Sequence, residues 1–208
     1  MPPDNIKSKF LEYLLAHNQP YMAGFKKWFF LPGMLFHSSR QWWGDRKPRS
    51  TPHEGIDLCW FENSTGTVKE VNGSIKIPAA FAGKIRKIEN DYLGKSIFIG
   101  HGIFDEKQGQ LHTIYGHTIP GDGMEATGNV AEGEIIGVIA DLPERKTTLP
   151  PHLHITVAWI PALFPLEHLT WQHIGSDGRI TLVDPLLILK GSEIRGLEAM
   201  AISGFMSS

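Results

Sequence analysis

The sequence has a single cysteine, Cys59, and that scarcity removes two chemistries at once. No intrachain disulfide can form, and a thiolate-based zinc site has no ligand set. Long apolar runs are also missing. The stretch from Tyr21 to His37 is broken by Lys26, Lys27, Pro32 and Gly33. It falls short of the roughly 20 residues that span a bilayer, so no transmembrane segment is expected. The first twenty residues carry charges throughout and lack the apolar core of a signal peptide, so a soluble chain is expected. An excess of one charge is absent too. With 20 Lys and Arg against 22 Asp and Glu the net charge is −2, which argues against nucleic acid as a partner. There is no G-x-S-x-G nucleophile elbow, no low-complexity segment and no repeat with a period of roughly 20–50 residues.

What is present fits an ordinary folded domain. At 208 residues and 41% hydrophobic composition the chain buries a core without help from metal or disulfide. Its charge is uneven. Residues 1–50 hold eight Lys/Arg against three acids, +5, and ten of the 21 aromatic residues; residues 51–208 hold twelve against nineteen, −7. The basic, aromatic N-terminal segment reads either as a helical appendage packed on the main domain or as a surface for an anionic polymer or membrane.

Ile6, Phe10, Tyr13 and Leu14 fall at helical spacing and predict a helix over residues 5–17, capped by Asp4 or Asn5 and stopped by Asn18 and Pro20. Residues 40–52 read as a loop. Beyond Pro52 the texture changes to short strand-like runs punctuated by glycine: 55–62, 80–90, 95–100 after the turn signal Asn90-Asp91, 111–117, 134–140, 152–159 and 179–183. That spacing predicts a mainly β, antiparallel sandwich or barrel over residues 51–190. Residues 184–189 read as a closing turn, and 191–208 as a loosely held tail.

Ten histidines carry the chemistry. In a strand, His152, His154 and Thr156 share one face, while Leu153, Ile155 and Val157 take the apolar one. His53 and Asp57, if extended, also share a face, and Gly55 between them leaves room for an ion or a close backbone. The His-x-x-x-Asp spacing recurs at His101/Asp105, in a glycine turn, and at His173/Asp177, in a polar loop. Only His53 leads into an apolar strand, so the flanks select it. His117 ends a strand beside Gly116. Together these residues suit a catalytic zinc, one per chain, with three N/O ligands and one position for water whose pKa falls to about 7. His53, Asp57 and one histidine of the 152/154 pair supply the ligands. The other histidine and His117 are left to move protons or stabilise an oxyanion.

The order of motifs resembles the lysostaphin-type zinc metallopeptidases, the glycyl-glycine endopeptidase or LytM family. The matching segments are HEGIDL (53–58), YGH (115–117) and PHLHI (151–155). The framework stretches 80–102, 130–139 and 178–189 look like the family's as well, so the resemblance covers roughly residues 50–190. It implies the family's small β-sandwich with an open groove. It implies His53, Asp57 and His154 as zinc ligands, and His152 and His117 as the catalytic, non-ligand histidines. It also implies peptide or peptidoglycan as substrate and an extracytoplasmic location. Three places depart from the family's pattern: the glycine-free stretch 142–151, Gly116 where the family often has alanine, and an apparent insertion over about 159–177. The N-terminal fifty residues carry no family motif. Two other readings stand beside the peptidase: a non-enzymatic regulator or binding module of the same fold, and a histidine phosphocarrier.

Overall fold

The computed structural model describes residues 6–141 and 149–189. In chain order the elements are α1 (Phe10–His17), β1 (Phe25–Phe29), β2 (Ile56–Leu58), β3 (Trp60–Asn63), β4 (Val68–Glu70), β5 (Lys76–Pro78) and β6 (Gly83–Asn90). They continue with β7 (Lys95–Phe104), β8 (Gly109–Pro120), β9 (Asn129–Val130), β10 (Ile135–Ile139), β11 (Leu153–Pro161), α2 (Trp171–Ser176), β12 (Thr181–Val183) and α3 (Pro185–Ile188). The fold is mainly β, its strand pairs are antiparallel, and one small helix precedes them. A three-stranded sheet has the order β1-β3-β4. A nine-stranded sheet is built on the path β12-β11-β8-β7-β6-β9, with β2 on β11 and β10 joining β8 to β5. Among the described residues no helix is long and apolar enough to cross a membrane.

Alternation along β11 assigns its two faces. Leu153, Ile155 and Val157 enter the main core with Ile97, Ile99, Leu111 and Tyr115. On the opposite face Ala158 and Ile160 join Phe98 and Ile114 in a second cluster, covered by Phe164, Leu169, Ile174 and Ile180. The segment read as an insertion is thus a cover for the far face of the sheet. His154 lies on that same far face near the start of β11, and His152 immediately precedes the strand.

Several expectations change. The helix begins at Phe10 rather than residue 5, and residues 6–9 are not helical. Asp4 and Asn5 lie outside the described residues; the amide of Phe10 is instead capped by Ser8 Oγ at 3.0 Å. The N-terminal segment is not purely helical, because β1 pairs with β3. Its adjacent Lys26 and Lys27 hide the period-2 pattern, and the register slips there. The run 55–62 divides at the buried Cys59: β2 pairs with β11 in the large sheet and β3 with β1 in the small one. Strands β4, β5 and β9 have two or three residues, too few for periodicity to show. His101 sits inside β7 rather than in a turn, and His173 inside α2 rather than in a loop. The stretch 184–189 forms α3, with Pro185 in its first turn and Asp184 Oδ1 accepting the Leu186 amide at 2.9 Å. The tail from residue 191 lies outside the described residues, as does most of the glycine-free stretch.

Candidate metal centre

Register brings the site together. On β11, His154 faces Asp57 of β2 across one edge and Gly116 of β8 across the other. Asp57 and His154 therefore project side by side. Gly55 permits this pairing, since a Cβ there would collide with the Ile155 carbonyl. His53 precedes the strand and is not extended with it. It is held instead by the N-terminal segment: its amide donates to Ser38 O at 3.0 Å, and its carbonyl accepts from the His37 amide at 2.9 Å.

His53 Nε2 lies 3.3 Å from Asp57 Oδ1 and 3.2 Å from His154 Nδ1, and His154 Nδ1 lies 2.8 Å from Asp57 Oδ1. Tetrahedral ligands at about 2.1 Å from an ion stand about 3.4 Å apart, and these atoms, 2.8–3.3 Å apart, are close to the spacing of a ligand set. The outer ring nitrogens are engaged. His53 Nδ1 lies 3.1 Å from Leu35 O, and His154 Nε2 lies 2.9 Å from Thr156 Oγ1. With those nitrogens donating, the lone pairs of His53 Nε2 and His154 Nδ1 point at the cluster. Two imidazoles and a carboxylate fit a zinc ion in ligand type and number.

Asp57 Oδ2 is turned away from the imidazoles and accepts the Trp42 indole N–H at 2.6 Å, with Arg49 Nη2 4.0 Å off. Trp42 is buried, and its ring also meets His152 edge-on at 5.2 Å. Part of the basic, aromatic N-terminal stretch is therefore spent on one wall of the site.

His152 Nδ1 lies 2.9 Å from Pro150 O, so that nitrogen donates and Nε2 faces inward, 3.9 Å from Asp57 Oδ1. His117 stands against it, ring centres 4.7 Å apart. His117 sits in a β-bulge. Gly116 and His117 together oppose Ser96 in β7, and His117 takes φ 62°, an uncommon value for a residue with a Cβ. The bulge lies where β8 leaves β11 and pairs onward with β10. Asp91 pins it. Asp91 Oδ2 accepts the His117 amide at 2.7 Å and the Ser96 hydroxyl at 2.7 Å, and Oδ1 accepts the Gly94 amide at 2.7 Å. Ser96 Oγ in turn accepts the Trp171 indole N–H at 2.9 Å. Asp91 Oδ1 is also 3.3 Å from His117 Nδ1, off the line of a hydrogen bond. Gly116 and the 159–177 segment are one feature, because a Cβ on Gly116 would come within 3.3 Å of both Trp171 Cζ2 and His154 Cβ.

Burial acts to raise the Asp57 carboxyl, but the charge of His53 and hydrogen bonds from His154 and His53 outweigh it and hold it well below the carboxylate range. Burial pushes His152 and His154 down to about 4 despite the pull of Asp57. Asp91 is likewise held low: burial would raise it, and its hydrogen bonds and the charge of His117 more than offset that. The cleft that these groups line has a volume of about 370 Å³, with Trp43 and Trp171 among its walls.

All five sequence-selected residues, His53, Asp57, His117, His152 and His154, line this one cleft. The other His-x-x-x-Asp pairs do not form such sites. His101 is a core residue 3.0 Å from Ala82 O and 2.9 Å from Thr113 Oγ1, while Asp105 caps a turn. Asp177 is taken by Arg179, and His173 lies 2.9 Å from Thr170 Oγ1. Trp42, Arg49, Asp91 and Trp171 were not singled out from sequence. Asp91 was visible only as a turn residue, and the others had no pattern.

No family model matches the chain, and no curated protein does. Solved structures with a similar shape include lysostaphin from Staphylococcus simulans, described as an antimicrobial peptidase. It is 18% identical over 97% of this chain and 60% of its own, with a TM-score of 0.46. Helicobacter pylori Csd3 is 20% identical over 84% of this chain and 38% of its own, with a TM-score of 0.44. LytU is 20% identical over 65% of this chain and 79% of its own, with a TM-score of 0.37. The chain thus spans less than two thirds of the length of lysostaphin and of Csd3.

Proposed function

We propose that this chain is a zinc-dependent endopeptidase that cleaves peptide bonds in peptidoglycan cross-links or stem peptides. The observation that carries the reading is the convergence of His53 Nε2, Asp57 Oδ1 and His154 Nδ1, all within 4.8 Å of one another, in a cleft that two further imidazoles face. The order of the motifs that bear these residues supports it, and the choice of substrate rests on that resemblance. A cell-envelope location goes with the same substrate.

When bound, zinc supplies Lewis-acid polarisation of a carbonyl and a water acidic enough to attack near neutral pH. The remaining work falls to the chain. His53, Asp57 and His154 hold the ion, and Leu35 O, Thr156 and Trp42 keep their outer atoms engaged. His117, whose backbone is pinned by Asp91, moves a proton to or from the reacting groups. Its Nε2 has no protein hydrogen bond among the described residues. His152, whose Nδ1 donates to Pro150 O, presents the lone pair of Nε2 to a proton. Trp43 and Trp171 flank the cleft.

The test is elemental analysis of purified protein, followed by digestion of isolated peptidoglycan. About one zinc per chain and release of new amino termini are expected. Protein that takes up no zinc on incubation refutes the proposal. Protein that binds zinc and cleaves nothing is the binding module instead.

A further inference from the structure

Arg49 stands at the edge of the cleft in an unusual state of half-employment. Its side chain is 13% exposed. Nε donates to Arg40 O at 3.3 Å, Nη2 donates to Gly33 O at 3.1 Å, and the guanidinium lies 4.9 Å over the centre of the Trp43 ring. Those contacts fix the plane of the group. They use two of its five N–H donors. Nη1 makes no hydrogen bond among the described residues. The nearest carboxylate oxygen, Asp57 Oδ2, is 4.0 Å away and already takes the Trp42 N–H. Glu54, also in the cleft wall, has its Oε1 3.3 Å from Thr51 Oγ1. The result is a fixed cation in the cleft wall whose Nη1 has no hydrogen-bond partner among the described residues.

We propose that Arg49, stacked on Trp43 in the wall of the same cleft, is a carboxylate-binding subsite, so that the substrate carries a free carboxylate close to the bond to be cut. The proposal rests on the peptidase reading for its reaction and on Arg49 alone for its ligand. A guanidinium fork pairs with a carboxylate through two parallel N–H···O bonds, which fixes orientation as well as charge. Two sources offer that group, a chain terminus and an acidic side chain, and they are separated by the choice of peptides.

The test starts without turnover. Metal-free protein is titrated by NMR with acetyl-dialanine, in its L,L and D,D forms, as free acid and as amide. Wild type is expected to bind the free acid of one stereoisomer at least tenfold more tightly than its amide. Equal binding of acid and amide, or binding of neither, together with no preference for a Glu peptide over its Gln counterpart, overturns the subsite. Arg49→Gln should bring the acid-to-amide ratio to about one, and Arg49→Lys should restore only part of it. Circular dichroism and zinc content report that each variant is folded, and the wild-type ratio stands independently of them. Cleavage by zinc-loaded protein is then compared for peptides ending in the free acid, in the amide, and in an amide preceded by Glu or by Gln. Faster cleavage of the free acid assigns a chain terminus, and faster cleavage of the Glu peptide assigns a side chain. Cleavage with no preference for either refutes the subsite while leaving the peptidase. A binding preference without cleavage of any peptide refutes the peptidase while leaving the subsite.

Discussion

Replacing Trp42 with Phe tests whether the N-terminal segment is part of the candidate metal centre. The substitution keeps an aromatic ring among Trp43, Trp60 and His152 but deletes the N–H that meets Asp57 Oδ2 at 2.6 Å. A hydrogen bond to a charged group contributes about 1.5–3 kcal/mol, and this one serves a carboxylate that is 3% exposed and has little access to water. With Oδ2 released, Asp57 is free to rotate or to offer both oxygens. Losing such an outer partner typically costs about 10–100-fold in metal affinity, or about 1.4–2.7 kcal/mol. Two measurements separate the hydrogen bond from the packing. Urea unfolding of the metal-free protein reads the packing loss together with the exposed carboxylate oxygen, about 1–3 kcal/mol. Competition with a chromophoric chelator reads zinc affinity in the folded protein. A variant that folds yet holds zinc within threefold of wild type refutes the positioning role.

Three further outcomes are expected. His154→Ala should abolish zinc retention, whereas His117→Ala should keep zinc and lower turnover by about 10²–10⁴; zinc loss in the His117 variant reverses that assignment. Gly116→Ala should lower stability by about 1–3 kcal/mol, because the new methyl meets Trp171 and His154 at 3.3 Å, and the Trp171 fluorescence should shift with it; an unchanged melting temperature contradicts the close approach. Burial lowers His101 and His112, both outside the cleft, from 6.5 to about 4. The unfolded chain binds more protons between those values, so their contribution to folding is full above pH 6.5 and is lost as pH falls toward 4. Urea midpoints of metal-free protein at pH 7.5, 6 and 5 should fall in that order, and a level series would mean that these rings are not held neutral.

The residues with the chemistry were legible because local rules expose them. Alternation put His152, His154 and Thr156 on one face of a strand; His154 and Thr156 lie so in β11, and His152 immediately precedes it. The apolar run after His53 separated it from His101 and His173, whose identical spacing leads to a core hydrogen bond and a helix. Gly55 was readable as a close approach, and it meets the Ile155 backbone. The mainly β, antiparallel architecture followed from short runs at regular intervals. Where the pattern was interrupted, by two lysines in β1 or by strands of two or three residues, nothing local announced a strand.

The surroundings of the site were decided by the tertiary fold. Trp42 reaches Asp57 because backbone bonds between residues 37–38 and His53 lay the N-terminal segment against the cluster. Asp91 reaches His117 because a one-residue bulge in β8 falls opposite its turn. Trp171 reaches Ser96 because the far face of β11 is apolar beyond the histidines and the segment after it folds back as a cover. Each of these contacts joins residues distant in sequence, and each depends on a register set by burial of the whole sheet. Side-chain periodicity belongs to a single strand and can be read from it. Which distant hydrogen-bond donor meets a buried carboxylate depends on how several strands pair, and that arises only when the core closes.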